Sequence, residues 1–150
     1  MKRGLLLSAL VVLGATQFIR PDTSNPPVDH ARSLWNDRAV DPKVAGILRR
    51  ACADCHSHET QWPWYSKISP MSWMLDRHVK DGRAKLNFSD WSGQSPDQLE
   101  EIYDSVAKGK MPMQGYLMLH PEARLSKADQ DTLQAWADGK LALRSSLDRR

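Results

Sequence analysis

Cys52-Ala53-Asp54-Cys55-His56 holds both cysteines of the 150-residue chain, three positions apart and followed at once by a histidine. Residues three or four apart share a helical face, so two thiols at this spacing present themselves to one side. The sequence leading into them reads as a helix. Asp41 is a candidate N-cap and Pro42 occupies the first helical position, while Val44, Ile47, Leu48, Ala51 and Cys52 recur on one face. The cysteines therefore lie at the end of an amphipathic helix, not after a strand.

This spacing is that of c-type haem attachment, in which each thiol adds to one vinyl group and the histidine behind them reaches the iron as the proximal ligand. Cys52 and Cys55 are read as the attachment points of one covalent haem c, and His56 as a metal ligand. A local disulfide, a thioredoxin-like redox pair and half of a zinc site use similar cysteine pairs. The redox pair calls for a strand and a βαβ context. The zinc site lacks a second cysteine pair, although His58, His78 and His120 offer nitrogens.

Three more helices follow from their punctuation. Ser69-Pro70 opens one that carries Met71, Met74, Leu75, His78 and Val79 on one face and ends near Gly82, so that His78 faces inward. Ser95-Pro96-Asp97-Gln98 is a capping box for a helix with Leu99, Ile102, Tyr103 and Val106, stopped at Gly109. Ser126 caps the last, with Asp129 three residues on, Leu133, Trp136 and Ala137 inward, and Gly139 as its stop. Only five Val and three Ile lie beyond residue 20, a poor supply for strands. The expected fold class is a small all-α domain with long loops. Phosphate-binding loops, nucleophile elbows and His-Glu-x-x-His motifs are absent from the sequence.

The chain has 21 basic against 18 acidic residues, and the first twenty residues hold Lys2, Arg3 and Arg20 but no acid. The remainder is neutral and free of like-charge blocks, which argues against nucleic acid as a partner. It is also thin in apolar residues for its size, a shortfall that a bound apolar cofactor would fill. Lys2 and Arg3 precede sixteen uncharged residues, 4–19, the pattern of an export signal. The small-residue site after Ala15 has Leu13 in a position that favours a small side chain, so both a cleaved signal and a membrane anchor through residues 4–19 stay open. At ~1.5 Å per residue the stretch spans about 24 Å, short of a ~30 Å hydrocarbon core. The expected division is a signal or anchor at 1–20, a polar, proline-rich linker at 21–38, a haem-binding domain at 39–143 and a polar tail at 144–150.

Beyond the cysteines, Trp62-Pro63-Trp64-Tyr65, Ser72-Trp73, His78, Gly82-Arg83, Leu86-Asn87-Phe88-Ser89 and Trp91 complete a distinctive block. With it, residues 41–137 resemble a monohaem class I cytochrome c, and more narrowly a family of small exported haem-binding domains. The resemblance implies a cytochrome c-like fold, a periplasmic location, single-electron transfer with redox partner proteins, and no catalytic residues. It also implies a methionine as sixth iron ligand, on the loop before the last helix, which matches Met111 in Gly109-Lys110-Met111-Pro112. Met113, Met118, His78, His120 and an open position are the alternatives. Trp64 and Trp73 are candidates for packing on the macrocycle, with ordinary core packing as the competing role. Arg83 is a candidate for pairing with a propionate, with a solvated helix end as its competitor. A peroxidase-like haem enzyme and a haem-based sensor are the alternative functions, and both require an open or displaceable sixth position.

Overall fold

The computed structural model describes residues 2–91 and 96–147. Its α-helices are α1 (Lys2–Thr16), α2 (Pro42–Ala51), α3 (Ala53–His56), α4 (Met71–Lys85), α5 (Pro96–Ala107), α6 (Gln114–Leu117) and α7 (Lys127–Leu147), joined by loops and short 3-10 turns. No strand occurs among the described residues, so the chain is all-α as expected. None of the described helices is long and apolar enough to cross a membrane.

α2 begins as its sequence dictates. The Asp41 carboxylate accepts the Lys43 N–H at 2.7 Å, and Pro42 fills a position whose N–H needs no partner. Its face of Val44, Ile47 and Leu48 packs into one core with Leu99, Ile102 and Val106 of α5, Leu133 of α7, and Phe88 and Trp91 from the loop after α4. Each such side chain contributes roughly 1.5–3 kcal/mol on leaving water. Trp136 of α7 stacks on Trp91 with ring centroids 6.0 Å apart.

The predicted helix boundaries hold at some ends and fail at others. α5 stops where Gly109 turns the backbone left-handed at φ +64°, a conformation that glycine adopts without strain. Its expected cap, Ser95, lies outside the described residues. α4 does not end at Gly82 but runs on to Lys85, and α7 passes through Gly139 to Leu147. Glycine weakens a helix interior by about 1 kcal/mol without ending it. Residues 144–147 therefore belong to α7 and not to a tail, while 148–150 lie outside the described residues.

α7 opens with a reciprocal cap. The Asp129 carboxylate accepts the Ser126 N–H at 2.8 Å, and the Ser126 hydroxyl accepts the Asp129 N–H at 3.1 Å. The Ser126 N–H is the main reason that Asp129 titrates below the usual carboxylate range. A depressed carboxylate stabilises the fold above its unfolded pKa, and that contribution is lost as pH falls through the folded value. Ser126→Ala keeps the backbone N–H but removes the hydroxyl's bonds to the Asp129 N–H and carboxylate, and is expected to cost about 1 kcal/mol in urea unfolding at neutral pH, and less in acid, where Asp129 is protonated.

The expected linker at 21–38 is not free of the domain. Leu34 is fully buried in the core, and the Arg32 carbonyl accepts the Trp91 N–H at 2.7 Å. Earlier along the segment, the Asn25 amide donates to the Thr60 carbonyl at 2.9 Å. Its oxygen accepts from Trp62 Nε1 at 3.2 Å and from Arg83 Nη2 at 2.9 Å. Polar, proline-rich composition reads as a tether, yet here the polar groups bind specific partners.

Candidate haem-binding site

α2 and α3 meet at Cys52, whose carbonyl accepts the N–H groups of Cys55 at 3.2 Å and His56 at 3.0 Å. This tight turn is fixed from several sides. Asp54 accepts the Gln61 N–H at 2.8 Å and the Tyr116 hydroxyl at 2.7 Å. The buried Ser57 hydroxyl donates to the Ala53 carbonyl at 2.7 Å. Behind the turn lies α4, brought so close at Gly82 that a β-carbon there would stand 2.5 Å from the Cys55 carbonyl oxygen. Gly82, read from sequence as a helix stop, is in fact the close-packing point between α3 and α4.

Two cavities adjoin the turn. The first, about 210 Å³, is lined by Cys52, Asp54, Cys55 and His56, by the α4 face His78, Asp81, Gly82 and Lys85, and by Met111, Met113 and Tyr116. The second, about 220 Å³, lies between Cys52, His56, Leu86 and Phe88 on one side and the α5 face Gln98, Glu101, Ile102, Ser105 and Val106 on the other. Cys52, His56, Lys85 and Met111 border both cavities.

The chemistry of these walls is specific. Burial drives the His56 pKa down, so the ring is neutral near pH 7. Its Nδ1 lies 3.1 Å from the Leu86 carbonyl, an acceptor only, which places the proton on Nδ1 and the lone pair on Nε2. A histidine held in this way is the usual form of a metal-ligating imidazole. Burial likewise pushes the Cys52 thiol up to about 12 and the Cys55 thiol up to about 11, so both thiols are neutral near pH 7, and the structure holds no disulfide between them. Met111 is set by α5: the Ser105 carbonyl accepts the N–H groups of Lys110 at 2.9 Å and Met111 at 3.1 Å, just past the Gly109 turn.

The structure thus gathers four of the residues singled out by sequence, Cys52, Cys55, His56 and Met111, around one space. It does not bring Arg83, Trp64 or Trp73 there. Arg83 Nε donates to the Ser57 carbonyl at 2.7 Å and Nη2 to Thr60 and Asn25, so its hydrogen bonds go to the motif loop and the N-terminal segment. Trp64 is 74% exposed and edge-on to Tyr65, and Trp73 Nε1 donates to the Ile19 carbonyl at 2.8 Å. Closeness in sequence to the motif did not carry these side chains to the cavities, because the turn at Trp64 and the N-terminal segment claim them first.

Among the other expected donors, His78 and Met113 line the first cavity only. Met118 is 82% exposed. His120 borders neither cavity; it is held by the Tyr65 hydroxyl at 2.8 Å and the Glu122 carboxylate at 3.1 Å. His58 is taken up by the Pro27 carbonyl and the Asn87 amide. No group of three or more His, Cys, Asp or Glu able to hold a metal ion occurs among the described residues, and the zinc reading gains nothing. Sequence reasoning missed Asp81, Lys85, Phe88 and Tyr116 as wall residues. The spacing of His78, Asp81, Gly82 and Lys85, three, one and three apart, was the available signal for a shared α4 face.

A neutral imidazole with its lone pair on Nε2, two thiols one turn apart, a thioether across the space and mainly apolar walls suit an iron porphyrin, and the residues present fit that group. Fold and site together define a small all-helical protein built around such a cofactor. The model of the haem-binding domain family matches residues 11–139, and the chain belongs to that family. No curated protein and no solved structure matches it.

Proposed function

We propose that the chain is a c-type cytochrome that carries single electrons between redox partner proteins in the periplasm, with no chemistry of its own on a substrate. In this reading Cys52 and Cys55 would hold one haem covalently, and His56 and Met111 would bind its iron. The observation that carries the reading is that His56 and Met111 both border the two cavities, from separate elements, with the His56 Nδ1 turned to the Leu86 carbonyl. Bound there, the haem supplies the one-electron couple. The protein's part is to exclude water and to supply two neutral donors, the thioether favouring the reduced metal and so a higher potential. Lys2, Arg3 and the uncharged residues 4–19 support export.

The test is an absorption spectrum, oxidised and reduced, of protein made with c-type haem maturation machinery, followed by the pyridine haemochrome assay. A far-red sulfur-to-iron band is expected in the oxidised protein, and Met111→Ala is expected to abolish it and lower the reduction potential. Met113→Ala is expected to leave both unchanged. Ready binding of carbon monoxide by the unaltered protein would favour the enzyme or sensor reading, for which His78, Asp81, Lys85 and Tyr116 on the first cavity wall are the available polar groups.

A further inference from the structure

α1 is apolar on every side. Leu5, Leu6, Leu7, Leu10, Val11, Val12 and Leu13 are all exposed, and none of its residues is buried against the rest of the chain. A helix with no polar face belongs in an apolar surrounding. What sets this one apart from a loosely attached leader is its base. The Gln17 side chain pairs with both main-chain groups of Ser69, accepting its N–H at 3.0 Å and donating to its carbonyl at 3.2 Å. The Ser69 hydroxyl donates to the Thr16 carbonyl at 3.0 Å, and Trp73 Nε1 to the Ile19 carbonyl. The foot of α1 is thereby bolted to the start of α4. These bonds gather a second set of exposed apolar side chains at the same place: Phe18, 90% exposed, and Ile19 from the segment, with Ile68, Trp73 and Met74 from the domain.

We propose that this face of the domain seats on a lipid bilayer, with α1 retained and inserted. Continuity selects lipid as the occupant: the foot of the exposed apolar α1 is hydrogen-bonded to the domain at Ser69 and Trp73, beside exposed Ile68 and Met74. Length makes the face necessary. α1 has 15 residues, about 22 Å of helix, which leaves it short of the hydrocarbon thickness and draws its foot into the interface. Tryptophan with a hydrogen-bonded N–H and an apolar ring is suited to that depth, and Lys2 and Arg3 at the other end of α1 are placed to meet lipid headgroups. The haem-binding domain is then held in one orientation on the membrane, not swung on a tether. The proposal does not depend on covalent haem attachment or on the identity of the sixth ligand.

The experiment is flotation of the full-length protein with vesicles of phosphatidylethanolamine and phosphatidylglycerol, compared with Ile68→Lys/Met74→Lys, which alters the domain face and leaves α1 and its hydrogen bonds intact. The unaltered protein is expected to float with the vesicles, and the double variant to partition at least about tenfold less. Helix content and, where haem is bound, its spectrum should be unchanged in the variant, which separates this outcome from misfolding and from failure of the haem reading. Equal partitioning of the two proteins overturns the proposal, as does a mature chain beginning after Ala15. So does a vesicle-free dimer that the same substitutions dissociate, since the face would then meet a second copy.

Discussion

Cys52→Ser with Cys55→Ser is expected to reduce the haem that survives denaturation from one per chain to background, read by haem staining of a denaturing gel and by intact mass. Each thiol is neutral, free and on the cavity wall, so each is positioned to form a thioether bond and neither is held in a disulfide. Serine keeps the size and polarity of the site but forms no such bond. The single variants are expected to retain one attachment with reduced yield. His56→Ala is expected to abolish low-spin haem spectra even where attachment persists, because the Nε2 lone pair set up by the Leu86 carbonyl is gone. Denaturation-resistant haem in the double cysteine variant would sink the covalent reading while leaving haem binding itself intact.

Gly82→Ala is expected to be the most damaging glycine-to-alanine change among the described residues. The added carbon meets the Cys55 carbonyl oxygen at 2.5 Å, and that oxygen belongs to the backbone of the attachment turn, so no side-chain rotation relieves the clash. Overpacking of this kind costs about 1–3 kcal/mol, and the melting temperature is expected to fall by several degrees, ~2–4 °C per kcal/mol for a chain of this size. Because α3 must move, the haem spectrum should change as well. Gly46→Ala in α2 is the control: nothing lies within 4 Å of its new carbon, and it is expected to raise stability by about 0.5–1 kcal/mol. Similar melting curves for the two alanine variants would show that α3 and α4 are not in rigid contact at this point.

The local parts of this fold were legible because they rest on short-range chemistry. Asp41-Pro42, Ser126 with Asp129, and Gly109 each form the cap or stop that their residue types favour. The cysteine-histidine turn was legible for the same reason, since its spacing fixes which side chains emerge together. Gly82 and Gly139 misled because a glycine stops a helix only where the backbone turns left-handed, and at Gly82 the missing side chain serves a neighbour 27 positions earlier in sequence. The tryptophans misled for a related reason. An aromatic residue near a motif reads as part of its lining, but Trp73 answers to a carbonyl at Ile19, just as Trp91, in the core, answers to the carboxylate of Asp37. Such partners, more than fifty positions away, leave no trace in local periodicity.

The Asn25 side chain touches three separated points, the Thr60 carbonyl, the Trp62 indole and the Arg83 guanidinium, and Arg83 in turn holds the loop just after His56. Trimming the protein to begin at residue 39, where composition alone would draw the border, would remove this clamp together with buried Leu34. A shortened version that keeps this clamp and buried Leu34 must therefore start upstream of Asn25, and so retain residues that look dispensable on paper.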